Sequence, residues 1–130
     1  MLQKLLRENH PEYVVVVFDT KWATLRHTSY REYKANRKPT PDELQVQIPL
    51  IYKVVRAYNI PVYAAKGYEA DDLIGTLVKL LSDKPIEVII VTLDKDMEQL
   101  LCPQVKILNT KKGAMIDSES LLREKGIRPE

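Results

Sequence analysis

The sequence is short of cysteine, of long apolar runs and of net charge, and each shortage narrows the class of protein. Cys102 is the only cysteine among 130 residues, so no internal disulfide can form and we expect a reducing compartment. No apolar run approaches the roughly 20 residues of a membrane-spanning helix, so we expect no membrane partner. Residues 1–8 are charged and amphipathic, unlike a signal peptide. The length suits one domain, residues 1–130.

Although the net charge is only +2, residues 20–38 form a basic segment. Its apolar residues show no helical or strand periodicity. We predict a long mobile connection there, with some helix around residues 30–36. One interpretation is a nucleic-acid contact, with cations on phosphates and a tyrosine stacked on a base. The other is a solvated amphipathic helix whose tyrosines pack on the core. The candidate contact residues are Arg26, Tyr30, Tyr33, Lys34, Arg37 and Lys38.

Residues 67–81 combine three carboxylates with an apolar stripe. The apolar residues recur at three- and four-residue spacing, which predicts a helix with one buried face. They are Ala70, Leu73, Ile74, Leu77, Val78 and Leu81. Glu69, Asp71 and Asp72 therefore fall at the start of this helix. Gly75, inside the helix, is expected to permit close packing of the helix against a strand rather than to bind anything.

Three further carboxylates follow predicted strands. Asp19 closes the apolar run of residues 13–18, and Asp94 and Asp96 follow the run of residues 88–91. Because sites in parallel α/β sheets form at the carboxyl ends of the strands, we expect these groups to converge on the acidic helix start. Carboxylates about 4 Å apart near a surface repel by roughly 4 kcal/mol per pair. The pattern therefore predicts a site for Mg²⁺ or Mn²⁺.

Each carboxylate group also has a plainer explanation when it is taken alone. Acids on the first turn of a helix are stabilised by the helix dipole. Asp94 and Asp96 fit a solvated turn that caps the next helix, and Asp19 fits a turn at the end of a strand. The metal hypothesis depends on the three groups falling on the same predicted edge of the sheet.

The alternation of strands and helices predicts an α/β fold around a parallel sheet. The predicted strands are residues 13–18, 61–65, 86–92, 105–108 and 114–116. The predicted helices are residues 2–8, 40–58, 67–81, 96–101 and a last one that begins at its cap, Asp117, and ends at Gly126.

The helix over residues 40–58 carries its own local signals. Thr40 is expected to cap it, with Pro41 in the first helical position and Glu43 completing a capping box. Pro49 inside it should kink or split it. Its inward-facing residues are predicted to be Leu44, Ile48, Ile51, Val55 and Tyr58.

The chain resembles the 5′-nuclease domain of bacterial DNA polymerase I and its stand-alone and phage relatives, which are akin to flap endonucleases. The resemblance follows the family's order and spacing along nearly the whole chain. The matching sequence motifs are Val17-Phe18-Asp19, Arg26-His27-x-x-Tyr30-x-x-Tyr33-Lys34-Ala35-Asn36-Arg37, Gly67-Tyr68-Glu69-Ala70-Asp71-Asp72 and Asp94-Lys95-Asp96.

The resemblance implies a Rossmann-like fold of the PIN or resolvase-like type, with an incomplete three-layer core and a flexible arch. It implies 5′→3′ exonuclease and flap endonuclease activity on DNA with a 5′ end or flap, in replication and repair, in the cytoplasm at the nucleoid. It also implies two Mg²⁺ ions, for which Mn²⁺ can substitute. The first would be served by Asp19, Glu69, Asp71 and Asp72, and the second by Asp94 and Asp96. The catalytic residues would be Asp19, Lys34 and Arg37.

The chain departs from the family pattern at both ends. The family's first strand, which carries another Asp ligand, has no counterpart, and neither has the C-terminal segment with two more Asp ligands and a helix–three-turn–helix. We therefore expect the central part of a nuclease domain, with weak or absent activity on its own. An exposed strand edge beside Asp19 would favour self-association. A polymerase domain can belong to the parent protein.

Two other functions compete with the nuclease. The first is a non-catalytic nucleic-acid-binding module that uses residues 26–38 without cleavage. The second is a phosphoryl-transfer enzyme of the haloacid-dehalogenase type, because Phe18-Asp19-Thr20 ends a strand. That class needs a second Asp two positions after the first, and Lys21 and Trp22 do not provide it.

Overall fold

Residues 1–20 and 40–129 are described by the computed structural model. Two compact units divide the chain, Met1–Leu73 and Ile74–Glu130. The first contains α1 (Leu2–Asn9), β1 (Val16–Val17), α2 (Asp42–Ala57), β2 (Val62–Tyr63) and the start of α3 (Ala70–Leu81). The second contains the rest of α3, β3 (Val88–Val91), a 3₁₀ helix (Lys95–Leu100), β4 (Val105–Asn109), β5 (Ala114–Ile116) and α4 (Ser118–Lys125). None of the described helices is long and apolar enough to cross a membrane.

The first unit contains a short parallel pair of strands. β1 pairs with β2, with Val16 opposite Val62. The amides of Val16 and Phe18 donate to the carbonyls of Pro61 and Tyr63 at 3.0 and 2.9 Å. The last of these bonds lies one residue before the carboxylate that closes the strand, so the ladder fixes the backbone from which that carboxylate projects.

The strand predicted over residues 13–18 is shorter in the structure. Tyr13 is 76% exposed and Val15 is 40% exposed, so the first half of the run is not covered on both faces as predicted. Among the described residues, β2 is the only strand that pairs with β1. A strand extends only as far as its hydrogen-bonded partner, and apolar composition does not supply that partner.

The second helix begins later than its signals predict. α2 starts at Asp42, and its N-cap is Pro41, without any side-chain capping bond. Pro41 has an extended ψ of 143°, and its carbonyl accepts the amides of Leu44 and Gln45 at 3.0 Å each. The predicted cap at Thr40 and its capping box are therefore wrong, because the first hydrogen-bonded turn begins at the carbonyl of Pro41, one residue after Thr40.

The interior of α2 also differs from its prediction. The helix is continuous over 16 residues in spite of Pro49, so it is not split. Val55 is buried, and the Tyr52 ring stacks on the Phe18 ring of the β1 segment with centroids 4.1 Å apart. The predicted inward face is wrong at three residues that are 39–44% exposed, namely Leu44, Ile51 and Tyr58.

The second unit contains a mixed sheet over an apolar core. β3 pairs in parallel with β4, with Ile90 opposite Ile107, and β4 pairs antiparallel with β5. One face of α3 contributes Ile74 and Val78 to the packing around this core, as the apolar stripe predicts. The buried core residues are Ile90, Met97, Leu101, Val105, Ile107 and Leu121. The two parallel strand pairs and the intervening helices confirm the α/β class.

Local signals at α4 are confirmed. The Asp117 carboxylate accepts the Ser120 amide at 2.8 Å, and Ser120 Oγ accepts the Asp117 amide at 2.9 Å, which completes a capping box. Gly126 ends the helix with φ of +67°. The close packing against a strand predicted at Gly75 is wrong, because among the described residues an added Cβ would have only Leu100 Cδ2 within 4 Å, at an ordinary 3.9 Å.

Candidate metal centre

A tight turn leads the chain into α3. The amide of Tyr68 donates to the carbonyl of Ala65 at 3.2 Å, and Gly67 between them has φ of +88°, a conformation that glycine adopts without steric cost. The carbonyl of Glu69 then accepts the amide of Asp72 at 3.1 Å as the helix begins. The turn therefore sets the three acids at the start of α3, where the sequence predicts them.

Two carboxylates accept hydrogen bonds from the amides at this helix start. Asp72 Oδ2 accepts the Glu69 amide at 3.0 Å, and Asp19 Oδ1 accepts the Ala70 amide at 2.7 Å. Amides at a helix start have no acceptor within the helix, and this end of the helix carries a partial positive charge. The contact with Ala70 spans 51 positions in the sequence, so the structure brings Asp19 to the first turn of α3.

The exposure of these four carboxylates differs. Glu69 is only 7% exposed, Asp71 and Asp72 are half-buried, and Asp19 is exposed. A buried carboxylate requires hydrogen bonds or a cation to offset its lost hydration. Glu69, Asp71 and Asp72 all have interaction partners besides the bonds given above. The exposure of the acids therefore increases from Glu69, at the helix start, to Asp19, at the end of β1.

The second predicted pair of acids lies in the second unit, after β3. Asp94 is the N-cap of the 3₁₀ helix, and its Oδ1 accepts the Asp96 amide at 3.0 Å. The Asp94 amide in turn donates to Thr92 Oγ1 at 3.0 Å. Both carboxylates are exposed. The capping interpretation of Asp94 is confirmed, and its role as a metal ligand stays a prediction.

The donor chemistry of the α3 start suits a hard divalent cation. Mg²⁺ and Mn²⁺ prefer carboxylate oxygens, and Asp19 and Asp72 each have one oxygen oriented by a backbone amide. Within residues 1–20 and 40–129, no group of three or more His, Cys, Asp or Glu side chains is arranged so that it could hold a metal ion. The residue types fit the metal, and the ligand geometry stays a prediction.

The residues predicted to contact DNA are not covered by the described structure. Arg26, Tyr30, Tyr33, Lys34, Arg37 and Lys38 all lie between residues 20 and 40, outside the described ranges. The sequence analysis of that segment therefore stands by itself, including the catalytic assignment of Lys34 and Arg37.

The sequence analysis missed three groups around the predicted acids. Thr20 follows Asp19, and its buried hydroxyl oxygen finds no hydrogen-bond partner in the described part of the chain. The Ala70 amide holds Asp19, and the Thr92 hydroxyl holds the amide of Asp94. A threonine near each strand-end acid was a visible signal for two of them. A backbone amide leaves no trace in a sequence pattern.

The comparison with known families decides what kind of protein carries this arrangement. Residues 1–126 match the family described as 5′-3′ exonuclease, N-terminal resolvase-like domain. The chain belongs to this 5′-3′ exonuclease family. This match confirms the resemblance to the 5′-nuclease family that the acidic and basic sequence motifs indicate.

The relatives of this exonuclease-family chain include long and short proteins. DNA polymerase I of Caldicellulosiruptor bescii is 46% identical over 113 residues, which cover 85% of this chain and 13% of the polymerase. The 5′-3′ exonuclease of Aquifex aeolicus is 37% identical over 130 residues, which cover all of this chain and 45% of the exonuclease. The chain thus spans under half of a stand-alone relative and a small part of the polymerases.

Solved structures show the same fold. A 5′-exonuclease of phage T5 with bound zinc ions matches with a TM-score of 0.74 at 19% identity, over 97% of this chain and 50% of that one. A T5 flap endonuclease complex with DNA and metal ions matches with a TM-score of 0.75 at 18% identity, over 96% and 50%. The predicted resolvase-like α/β fold of this exonuclease-family chain is therefore confirmed.

Proposed function

We propose that the chain is the central part of a metal-dependent 5′→3′ exonuclease and flap endonuclease that hydrolyses DNA phosphodiesters. The observation that carries the proposal is the bond between Asp19 and the start of α3. It joins the acid at the end of β1 to the turn that bears Glu69, Asp71 and Asp72. Family membership supports the reaction, and the acids support its dependence on metal.

The proposed cofactor is a pair of Mg²⁺ ions, for which Mn²⁺ can substitute. Asp19, Glu69, Asp71 and Asp72 would hold the first ion, and Asp94 and Asp96 the second. Bound there, such ions would stabilise the attacking and leaving oxygens of a phosphodiester. The metal ions in the solved T5 structures support this assignment.

The proposed substrate is DNA with a 5′ end or a 5′ flap. The cations and tyrosines between residues 26 and 38 would bind and orient the 5′ strand, with Lys34 and Arg37 on the scissile phosphate. A basic segment and an acidic cluster in one chain fit a polyanion held beside acid-bound cations. The T5 complex with DNA supports this substrate class.

The proposed setting is the cytoplasm, at the nucleoid, during replication and repair. Relatives named DNA polymerase I support a polymerase domain in the parent protein. Self-association through β1 is proposed as well, since β2 is its only strand partner among the described residues. An unpaired strand edge can pair with a second chain.

The test is cleavage of a 5′-labelled flap duplex by the purified chain in Mg²⁺ or Mn²⁺, with EDTA as the metal-free control. Asp72→Asn removes a proposed ligand on the first turn of α3. Asp42→Asn is the matched control, because Asp42 lies on the first turn of α2, outside the proposed site. We expect weak or absent cutting by the chain alone, and metal-dependent cutting near the junction once the family's flanking segments are added. That cutting should be lost in Asp72→Asn and retained in Asp42→Asn. Tight DNA binding by a folded chain that does not cut even with those segments would instead support the non-catalytic module.

A further inference from the structure

In the described part of the chain, Asp19 contacts the start of α3 through the backbone amide of Ala70. Its Oδ1 lies 2.7 Å from the nitrogen of Ala70, a short distance that is typical of a hydrogen bond to an ionised acceptor. Ala70 is the first residue of α3, so its amide has no acceptor inside the helix. The contact gives this amide its acceptor and fixes one of the two oxygens of Asp19.

The preceding amide, that of Glu69, also donates to a carboxylate. The Glu69 amide donates to Asp72 Oδ2 at 3.0 Å, so two successive amides hold two carboxylates from different parts of the chain. Asp19 itself is exposed, and an exposed Asp samples several rotamers unless a contact selects one. Among the described residues, the Ala70 amide supplies such a contact.

We propose that the Ala70 amide is a positioning group that orients the Asp19 carboxylate for a divalent cation. This inference rests on the proposed function and adds to it a group that has no side-chain chemistry. With Oδ1 on the amide, Oδ2 would be the oxygen left for the ion. A ligand held by an outer hydrogen bond binds metal more tightly, because less side-chain freedom is lost on binding.

One substitution removes this N–H and puts a ring carbon, proline Cδ, in place of the hydrogen that faces Asp19 Oδ1. Ala70→Pro deletes the N–H, and proline suits the first position of a helix, where the N–H serves no helical bond. Proline also restricts Glu69 to extended backbone conformations, which are the usual ones for a residue that precedes a helix. Ala70→Gly is the matched control, because it changes the side chain and keeps the amide.

The first measurement is a double-mutant cycle in urea without metal, using Ala70→Pro and Asp19→Ala singly and together. We expect Ala70→Pro to raise the unfolding equilibrium constant about fivefold more when Asp19 is present than when it is absent. Equal effects in both backgrounds would overturn the inference, because the amide would then not act through Asp19.

The second measurement is a Mn²⁺ titration of the folded variants, followed by the loss of the free-ion EPR signal. We expect Ala70→Pro to weaken Mn²⁺ binding about tenfold and Ala70→Gly to retain it. Unchanged affinity in Ala70→Pro would overturn the positioning role. Failure of the unaltered chain to bind Mn²⁺ would overturn the proposed function itself, and the metal-free cycle would still decide whether Asp19 and Ala70 are coupled.

Discussion

Asp94 and Asp96 are joined to each other: Oδ1 of Asp94 accepts the backbone amide of Asp96 at 3.0 Å. The bond makes Asp94 the N-cap of the 3₁₀ helix that follows β3. One residue therefore has a structural duty, as a cap, and a proposed chemical duty, as a ligand. The two duties use different properties of the side chain, namely an acceptor oxygen and a negative charge.

Substitutions at Asp94 separate these duties. Asp94→Asn keeps an acceptor oxygen for the Asp96 amide, so we expect stability close to that of the unaltered chain. Asp94→Ala loses the acceptor, and we expect it to lower the free energy of unfolding by about 1 kcal/mol. Urea unfolding measures both, and equal loss in the two variants would contradict the capping role. Both variants remove the carboxylate that is proposed to bind the metal, so both should bind Mn²⁺ more weakly.

The capping box at Asp117 predicts a pH dependence. The Ser120 backbone amide, and then its hydroxyl, stabilise the charged carboxylate and lower the pKa of Asp117 below its usual 3.8. The unfolded chain therefore binds this proton at a higher pH than the folded chain does. The stabilisation is present above pH 3.8 and is lost as the pH falls through the lowered folded-state pKa.

Asp117→Ser is the variant that isolates this effect, because serine also caps a helix and does not titrate in acid. We expect the stability advantage of the unaltered chain over Asp117→Ser to shrink between about pH 6 and about pH 2.5. Urea midpoints at the two pH values provide the measurement. An advantage that grows in acid would show that the sign of the pKa shift is wrong.

Two glycines should respond in opposite directions to alanine. Gly75 lies inside α3, and an added Cβ meets Leu100 Cδ2 at 3.9 Å, so Gly75→Ala should stabilise the protein by up to about 1 kcal/mol. Gly126 has φ of +67°, so Gly126→Ala should cost about 1 kcal/mol although the space is open. Thermal unfolding compares the pair. A loss of stability in Gly75→Ala would restore the close-packing role that the structure denies it.

Pro49 inside α2 is a second site where the sequence works against the helix. Proline supplies no amide to the carbonyl four residues earlier, and α2 remains continuous around it. Because Pro49 is exposed, Pro49→Ala should raise the free energy of unfolding by about 1–3 kcal/mol. Urea unfolding, with helix content followed by circular dichroism, measures this. A destabilised Pro49→Ala variant would mean that the native packing of α2 depends on the proline.

The parts of the fold that the sequence predicts well are those with local causes. Asp117 begins α4 and Gly126 ends it, each through contacts within four residues, and both positions are confirmed. The strand at residues 13–18 has no such local cause, because its length depends on where β2 offers partners. The start of α2 was misplaced for a smaller reason, since the ψ angle of Pro41 moved the first helical turn past Thr40.

The candidate site also combines features that have local causes with a contact that spans a long stretch of sequence. The acids on the first turn of α3 follow from a local pattern, and the structure places them there. The bond from Asp19 to Ala70 spans 51 positions and uses a backbone donor, which no side-chain pattern records. The sequence could therefore predict that acids lie at the start of α3, but it could not predict the backbone amide to which Asp19 bonds.

A Mn²⁺ titration of four chains tests the central claim most directly. The chains are the unaltered protein, Asp19→Asn, Asp72→Asn and the control Asp42→Asn. Asparagine keeps an acceptor oxygen for the helix-start amides, so the comparison isolates the charge. We expect Mn²⁺ affinity to fall by at least about tenfold in Asp19→Asn and Asp72→Asn and to stay unchanged in Asp42→Asn. Equal affinity in all four folded chains would mean that the acids at the start of α3 serve the helix alone, and the metal centre would be refuted.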